Sequence, residues 1–139
     1  MRRRVILDAS ALAALLRHRG EHHQWATAEL RKMAAPLLTC DAVLSETHFL
    51  VRDSPRALQS IMKMSLDGAF TVAFNFEDEK LAISKLLEKY ADVPMSFADA
   101  CLVRMSELYP DSTVFTLDGD FKIYRRNGRQ PIPFIFPEK

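Results

Sequence analysis

Two kinds of apolar pattern alternate along this chain. Short apolar runs, most of them rich in β-branched or aromatic residues, predict buried strands. These runs occupy residues 5–7, 37–39, 70–74, 113–117 and 134–136. Prolines at 131, 133 and 137 surround the last run, which predicts a strand at the edge of a sheet. Between the runs, apolar residues recur at helical spacing.

The helical spacing predicts a helix after each of the first four strand segments, with further helices between them. The predicted helices cover residues 11–16 with a break at Gly20, about 23–34, 41–52, 55 to near 68, 77–90, 96 through 105 or beyond, and 121–126. Ser54 and Pro55 form a standard helix opening, a cap residue followed by proline at the first helical position. Leu44, Phe49 and Leu50 indicate that the helix over 41–52 packs largely inward.

Strands alternating with helices predict parallel βαβ units. We therefore expect an α/β fold, a three-layer α/β/α sandwich with a central, mostly parallel sheet of four to five strands. The length of 139 residues fits one domain over residues 1–139.

Four acidic residues stand where such a fold places its active crevice, beyond the carboxyl ends of the strands. Asp8 and Asp118 directly follow predicted strands, Asp99 lies in the first turn of a helix, and Glu46 lies on a helix. We expect these carboxylates to converge at one edge of the sheet. Mg²⁺ and Mn²⁺ prefer oxygen ligands, so the convergence would suit a divalent metal.

Composition and charge narrow the function classes only slightly. The net charge is +1, so any nucleic-acid contact depends on local patches, and two basic clusters are present. The clusters consist of Arg2, Arg3 and Arg4, and of Lys122, Arg125, Arg126 and Arg129. Cys40 and Cys101 lack metal or disulfide spacing, which fits a reducing cytoplasm. We expect neither a signal peptide nor a membrane span. The four histidines are expected at the surface.

Four motifs occur in a characteristic order: ILDAS at 6–10, LSE at 44–46, SFADA at 96–100 and TLDGDF at 116–121. Together they resemble the PIN-domain family, and within it the VapC-like toxins, over nearly the whole chain. The resemblance implies a core acidic triad of Asp8, Glu46 and Asp99, with Asp118 as the fourth acidic position and Asp120 as a possible auxiliary. It also implies that the hydroxyls of Ser10 and Thr116 support the site.

The same resemblance implies a Mg²⁺- or Mn²⁺-dependent endoribonuclease, the toxin of a type II toxin–antitoxin pair. An RNA substrate, a cognate antitoxin protein and a homodimer would follow from it. The alternative is a non-catalytic PIN fold that binds RNA or protein. A haloacid dehalogenase-type phosphatase would need a second Asp where Ser10 stands, and a receiver domain would need an Asp where the third strand ends in Phe74-Asn75.

Each acidic residue also has a purely structural interpretation. Asp8 or Ser10 would cap the first helix, and Ser96-x-x-Asp99 resembles a capping box. Glu46 would be an exposed helix residue, while Asp118 and Asp120 would be turn formers. The sequence leaves these alternatives open for each residue taken singly.

Overall fold

A five-stranded parallel sheet forms the centre of the computed structural model, which describes residues 4–137. Seven strands are present in this part of the chain: β1 Arg4–Leu7, β2 Leu37–Thr39, β3 Phe70–Val72, β4 Ser112–Phe115, β5 Arg125–Arg126, β6 Gln130–Pro131 and β7 Phe134–Ile135. The main sheet has the order β3-β2-β1-β4-β7, with every neighbouring pair parallel. The proline-flanked strand β7 lies at the sheet edge, as predicted.

The helices are α1 Ala9–Leu16, α2 His23–Leu30, α3 Asp41–Leu50, α4 Pro55–Leu66, α5 Phe76–Lys89 and α6 Phe97–Leu108, with a 3₁₀ helix over Gly119–Lys122. Sequence signals explain several of their starts. Ser54 Oγ accepts a hydrogen bond from Ala57 N at 3.1 Å, so the cap before Pro55 is formed as predicted. Helices α2, α3 and α4 end two to four residues earlier than the apolar spacing predicts, because the residues that follow form turns.

Apolar side chains pack on both faces of the sheet. Val5 and Leu7 of β1 belong to one core with α1 and α4, whereas Ile6 between them belongs to a second core with α6. This alternation follows from the strand geometry, in which successive side chains point to opposite faces. The prediction of a three-layer α/β/α sandwich with a parallel sheet is confirmed.

The C-terminal segment differs from the prediction. In place of a helix over residues 121–126, the 3₁₀ helix is followed by a hairpin in which β5 pairs antiparallel with β6. Asn127, Gly128 and Arg129 connect the two strands, and Asn127 and Gly128 have φ of 53° and 85°, left-handed values that Asn and Gly adopt more readily than other residues. The predicted helix over 121–126 is wrong because the turn at Asn127 and Gly128 pairs Arg125 and Arg126 with a second strand.

The apolar spacing also overstated burial on α3. Phe49 is 60% exposed and Leu50 is 38% exposed, so this helix presents apolar side chains to solvent at its C-terminal end.

Between residues 4 and 137, no helix is both long and apolar enough to cross a membrane.

The order of the strands decides where functional side chains can meet. Strand β1 lies between β2 and β4, and Asp8 N donates a hydrogen bond to Phe115 O at 3.1 Å. The residues that follow β1 and β4 therefore leave the sheet side by side at its carboxyl edge.

Candidate active site

Asp8 lies at the centre of this edge, where β1 ends and α1 begins. Its side chain is only 5% exposed. Oδ1 accepts a hydrogen bond from Ala9 N at 2.6 Å, and Oδ2 accepts one from Thr116 Oγ1, also at 2.6 Å. Asp8 thus caps α1, as its structural interpretation required, but it is also held by a residue 108 positions away in the chain.

Two hydroxyl groups tie the end of β4 to Asp8. Ser10 Oγ donates to Asp8 Oδ2 at 3.2 Å and accepts from Leu117 N at 2.9 Å. Thr116 Oγ1 donates to Asp8 and accepts from Asp118 N at 2.8 Å. Each hydroxyl therefore donates a hydrogen bond to the Asp8 carboxylate and accepts one from a backbone N–H group. Together these bonds fix the position of Asp8 relative to Asp118.

Asp99 projects from the first turn of α6 and forms the capping box that the sequence allowed. Asp99 N donates to Ser96 Oγ at 3.0 Å, and Asp99 Oδ2 accepts from Ser96 N at 3.1 Å. The hydroxyl of Tyr124 lies 3.0 Å from the same Oδ2. None of these contacts uses Oδ1 of Asp99.

Asp118 begins the 3₁₀ helix, and its Oδ1 accepts a hydrogen bond from Asp120 N at 2.9 Å. The turn role proposed for Asp118 is therefore real, and it again occupies one carboxylate oxygen. Glu46 lies on α3 and its side chain is exposed.

The pKa shifts show that these carboxylates share one electrostatic neighbourhood. Burial raises the pKa of Asp8 to about 7, against the hydrogen bond from Thr116, and repulsion from Asp99 and Asp118 adds to the rise. Partial desolvation raises the pKa of Glu46, with repulsion from Asp99 and Asp118 as the further causes. Burial likewise raises the pKa of Asp99, and Asp118 contributes by repulsion. Asp120, in contrast, is a cause only of the raised pKa of Tyr124.

The structure thus brings Asp8 and Glu46 each within electrostatic range of Asp99 and Asp118 at the carboxyl edge of the sheet. A family model of the PIN domain matches residues 5–127, which is most of the chain. The chain belongs to the PIN-domain family.

The PIN fold is also seen in the comparison with solved structures. VapC20 of Mycobacterium tuberculosis, described as a toxin that cleaves the sarcin–ricin loop, matches with a TM-score of 0.76 and 21% sequence identity. The match covers 86% of this chain and 93% of that one. A comparison with curated proteins gives no match.

In this PIN domain, Tyr124 is a site residue that the sequence analysis missed. Its ring is fully buried and packs edge-on against Tyr90 and Phe121, with ring centroids 5.3 and 5.2 Å away. Its hydroxyl lies 2.8 Å from Pro94 O as well as 3.0 Å from Asp99. The only available signal was an aromatic residue in the segment wrongly predicted to be helical.

The carboxylates of this PIN domain do not form a ready-made coordination sphere. Within residues 4–137, no group of three or more His, Cys, Asp or Glu side chains is arranged to hold a metal ion. The metal site predicted from Asp8, Glu46, Asp99, Asp118 and Asp120 therefore stays a prediction. The electrostatic coupling favours Asp118 over Asp120 as its fourth member.

The predicted basic clusters are only partly available to a ligand. Arg2 and Arg3 lie outside the described residues. Arg125 donates to the carbonyl oxygens of Lys122, Ile123 and Tyr124, and Arg126 donates to Ser106 O. These two arginines therefore stabilise the C-terminal segment. Both cysteines are free and buried.

Proposed function

We propose that this PIN domain is a ribonuclease that hydrolyses RNA phosphodiester bonds with the help of Mg²⁺ or Mn²⁺. The observation that carries the proposal is the state of Asp8. Its carboxylate is buried, is held by two 2.6 Å hydrogen bonds and is repelled by two other acids, Asp99 and Asp118. Burying a carboxylate among like charges destabilises the free protein, and a bound divalent cation would remove that cost.

The donor set fits such a cation. Asp8, Glu46, Asp99 and Asp118 would hold it through carboxylate oxygens, the ligands that Mg²⁺ and Mn²⁺ prefer. When bound, the metal would supply an activated water and neutralise charge on the phosphoryl oxygens. Oδ1 of Asp99 and Oδ2 of Asp118 take no part in the cap and turn hydrogen bonds described above, so the structural roles of these residues leave oxygens for this purpose.

The chain's own residues would orient these ligands. Ser10 and Thr116 hold Asp8 from the side of β4, and Thr116 also holds the backbone of Asp118. Ser96 and Tyr124 hold Asp99. These contacts restrict the motion of the carboxylates, so that less ordering is needed when a metal and an RNA strand bind.

A toxin role is part of the same proposal. VapC20, whose fold this chain shares, is described as a sarcin–ricin loop cleaving toxin. By analogy we assign this chain, as one PIN domain, to a type II toxin–antitoxin system, with a cognate antitoxin and a homodimeric state. Co-expression with the product of a small adjacent gene, followed by size-exclusion chromatography, would test for both partners.

The activity is tested by incubating the purified chain with a hairpin RNA carrying a sarcin–ricin-type loop and with an unstructured RNA, in Mn²⁺, Mg²⁺ or EDTA. Cleavage is expected only with metal. Asp8→Asn and Asp99→Asn are expected to reduce the rate by about 100-fold or more, because each would remove a ligand charge. The matched control is Asp111→Asn, an exposed Asp directly before β4, at the opposite edge of the sheet from Asp118.

Metal-independent cleavage, or full cleavage by both site variants, would contradict the proposed mechanism. RNA binding without any metal-dependent cleavage would instead support the non-catalytic PIN fold. The Asp111→Asn variant separates these results from a general effect of removing one negative charge.

A further inference from the structure

A basic cleft lies at the end of α1, outside the acidic site. It has a volume of about 380 Å³ and is bounded by the loop after α1 and by the start of α4. Arg17, His18 and Arg19 come from the loop, and Ser54 and Arg56 come from the start of α4. The cleft brings together three arginines that are up to 39 positions apart in the chain.

Most of this positive charge has no acidic partner. Arg17 pairs with Asp53 at 2.8 Å and also donates to Leu50 O. Between residues 4 and 137, neither Arg19 nor Arg56 forms an ion pair, although both are exposed. A chain with a net charge of only +1 thus concentrates unneutralised cations at one concave surface.

The position of Arg56 is unfavourable for the isolated fold. It lies in the first turn of α4, where the helix dipole disfavours positive charge, and no acidic residue of that turn compensates it. Arg56 is not stabilised by the dipole of its own helix and, within residues 4–137, has no acidic partner across the cleft. Its guanidinium is therefore free to bind an anion from outside the chain.

The cleft lies within reach of the candidate active site. Arg17 contacts Leu50 at the end of α3, and Glu46 lies four residues earlier on the same helix. At about 1.5 Å per residue, the two positions on α3 are about 6 Å apart along the helix axis. Asp8 is the N-cap and Arg17 the C-cap of α1. At the same rise per residue, these two positions are about 13 Å apart along the helix axis. At about 3.4 Å per stacked nucleotide, that distance corresponds to about four nucleotides of one strand.

We propose that this cleft binds backbone phosphates of the RNA substrate, a few nucleotides from the bond that is cleaved, mainly through Arg19 and Arg56. Arg17, whose Nη2 is held by Leu50 O and Asp53, also lines the cleft. The inference rests on the proposed ribonuclease function and adds a means of substrate binding to it. The acidic edge repels RNA unless metal is bound, so affinity must come from cations elsewhere on the surface. Arginine suits this task because its planar donor group matches phosphate oxygens.

The test measures binding of a fluorescein-labelled single-stranded RNA by anisotropy in EDTA, at several salt concentrations. Arg19→Gln, Arg56→Gln and the double variant are compared with the unchanged chain. Each phosphate contact in single-stranded nucleic acid contributes about 0.7 to the slope of log affinity against log salt, so the double variant should lose about 1.4. At 0.1 M salt this corresponds to about 25-fold weaker binding. The control is Lys85→Gln, an exposed cation of α5, the helix whose Ile83 packs into the core on the opposite face of the sheet.

An unchanged slope in the double variant, or the same change in Lys85→Gln, would overturn the proposal. A labelled polyglutamate peptide is tested in parallel. If the double variant loses the peptide while keeping RNA affinity, the cleft belongs to an acidic protein partner and the RNA assignment is wrong. Binding is measured without metal, so a chain that binds RNA through the cleft but never cleaves it would refute the ribonuclease and leave the cleft assignment standing. Unchanged melting temperatures establish that the variants are folded. If Arg56→Gln does not fold, Arg19→Gln alone provides the test, because Arg19 lies in a loop.

Discussion

Replacing Asp8 by Asn should stabilise the metal-free protein at alkaline pH. Asn has nearly the same shape as a protonated Asp, so it keeps the neutral form that burial favours. Its side-chain oxygen can still accept from Ala9 N, while its amide would meet the Thr116 hydroxyl, whose hydrogen can turn to Ser10 Oγ at 3.3 Å. Ser10 also donates to Asp8 Oδ2 in the unchanged chain, but its side chain is only partly buried, so its hydrogen can turn to water. The substitution therefore removes the buried charge and leaves no fully buried group unpaired.

The magnitude follows from the pKa of Asp8. Burial raises this pKa from its ordinary 3.8 to about 7 in the folded chain. A raised carboxyl pKa means that the folded state binds the proton more tightly than the unfolded state, so stability present below pH 3.8 is lost as the pH rises to 7. The full loss is about 4 kcal/mol, of which about 2–3 kcal/mol falls between pH 5 and pH 8.

The assay is urea unfolding in EDTA at pH 5, 6, 7 and 8, for the unchanged chain, Asp8→Asn and Asp111→Asn. The free energy of unfolding of Asp8→Asn relative to the unchanged chain should rise by about 2–3 kcal/mol from pH 5 to pH 8. The exposed Asp111 should give a difference below about 0.5 kcal/mol at every pH. If Asp8→Asn instead destabilised the chain by the same amount throughout, the carboxylate would not be buried at a cost, and the main support for a cation site would be gone.

Two further predictions concern other side chains. Tyr124→Phe removes the hydroxyl beside Asp99 and Pro94, so it should lower the free energy of unfolding by about 1–2 kcal/mol, measured by heat or urea. It should also raise the pKa of Asp99 and slow RNA cleavage. Unchanged stability and cleavage would show that this contact does not position Asp99. Cys40 and Cys101 are each 1% exposed, so a thiol-reactive dye such as Ellman's reagent should label neither in native buffer and both in urea; rapid labelling of the native chain would show that the α6 core opens.

The sequence predicted those parts of the fold whose signals are local. The buried strands over 5–7 and 37–39 match β1 and β2, because a short apolar run directly before a helix is typical of a strand buried in a parallel sheet. The Ser54-Pro55 opening and the Ser96-x-x-Asp99 box also formed, since a cap depends on residues three positions apart.

Features that depend on distant contacts were not predictable in the same way. Tyr124 reaches Asp99 only because the 3₁₀ helix turns the chain back toward α6, 25 residues earlier in the sequence. Phe49 and Leu50 fit an inward-facing helical pattern, yet they lie at the end of α3, where both stay exposed although the guanidinium of Arg52 lies over the Phe49 ring. Apolar spacing reports which residues can be buried, and the neighbouring elements decide which of them are.

The acidic residues show why a structural role and a metal role cannot be separated from sequence. A carboxylate has two oxygens, and in Asp99 and Asp118 the cap or turn hydrogen bonds go to one oxygen only. A cap also fixes the side-chain angles, so it points the other oxygen in a defined direction. Ser96-x-x-Asp99 is therefore a capping box because of the backbone donors it satisfies, and the same geometry would orient Asp99 toward the proposed cation. A substitution that keeps the cap but removes the charge, as Asp99→Asn does, is the experiment that separates the two roles.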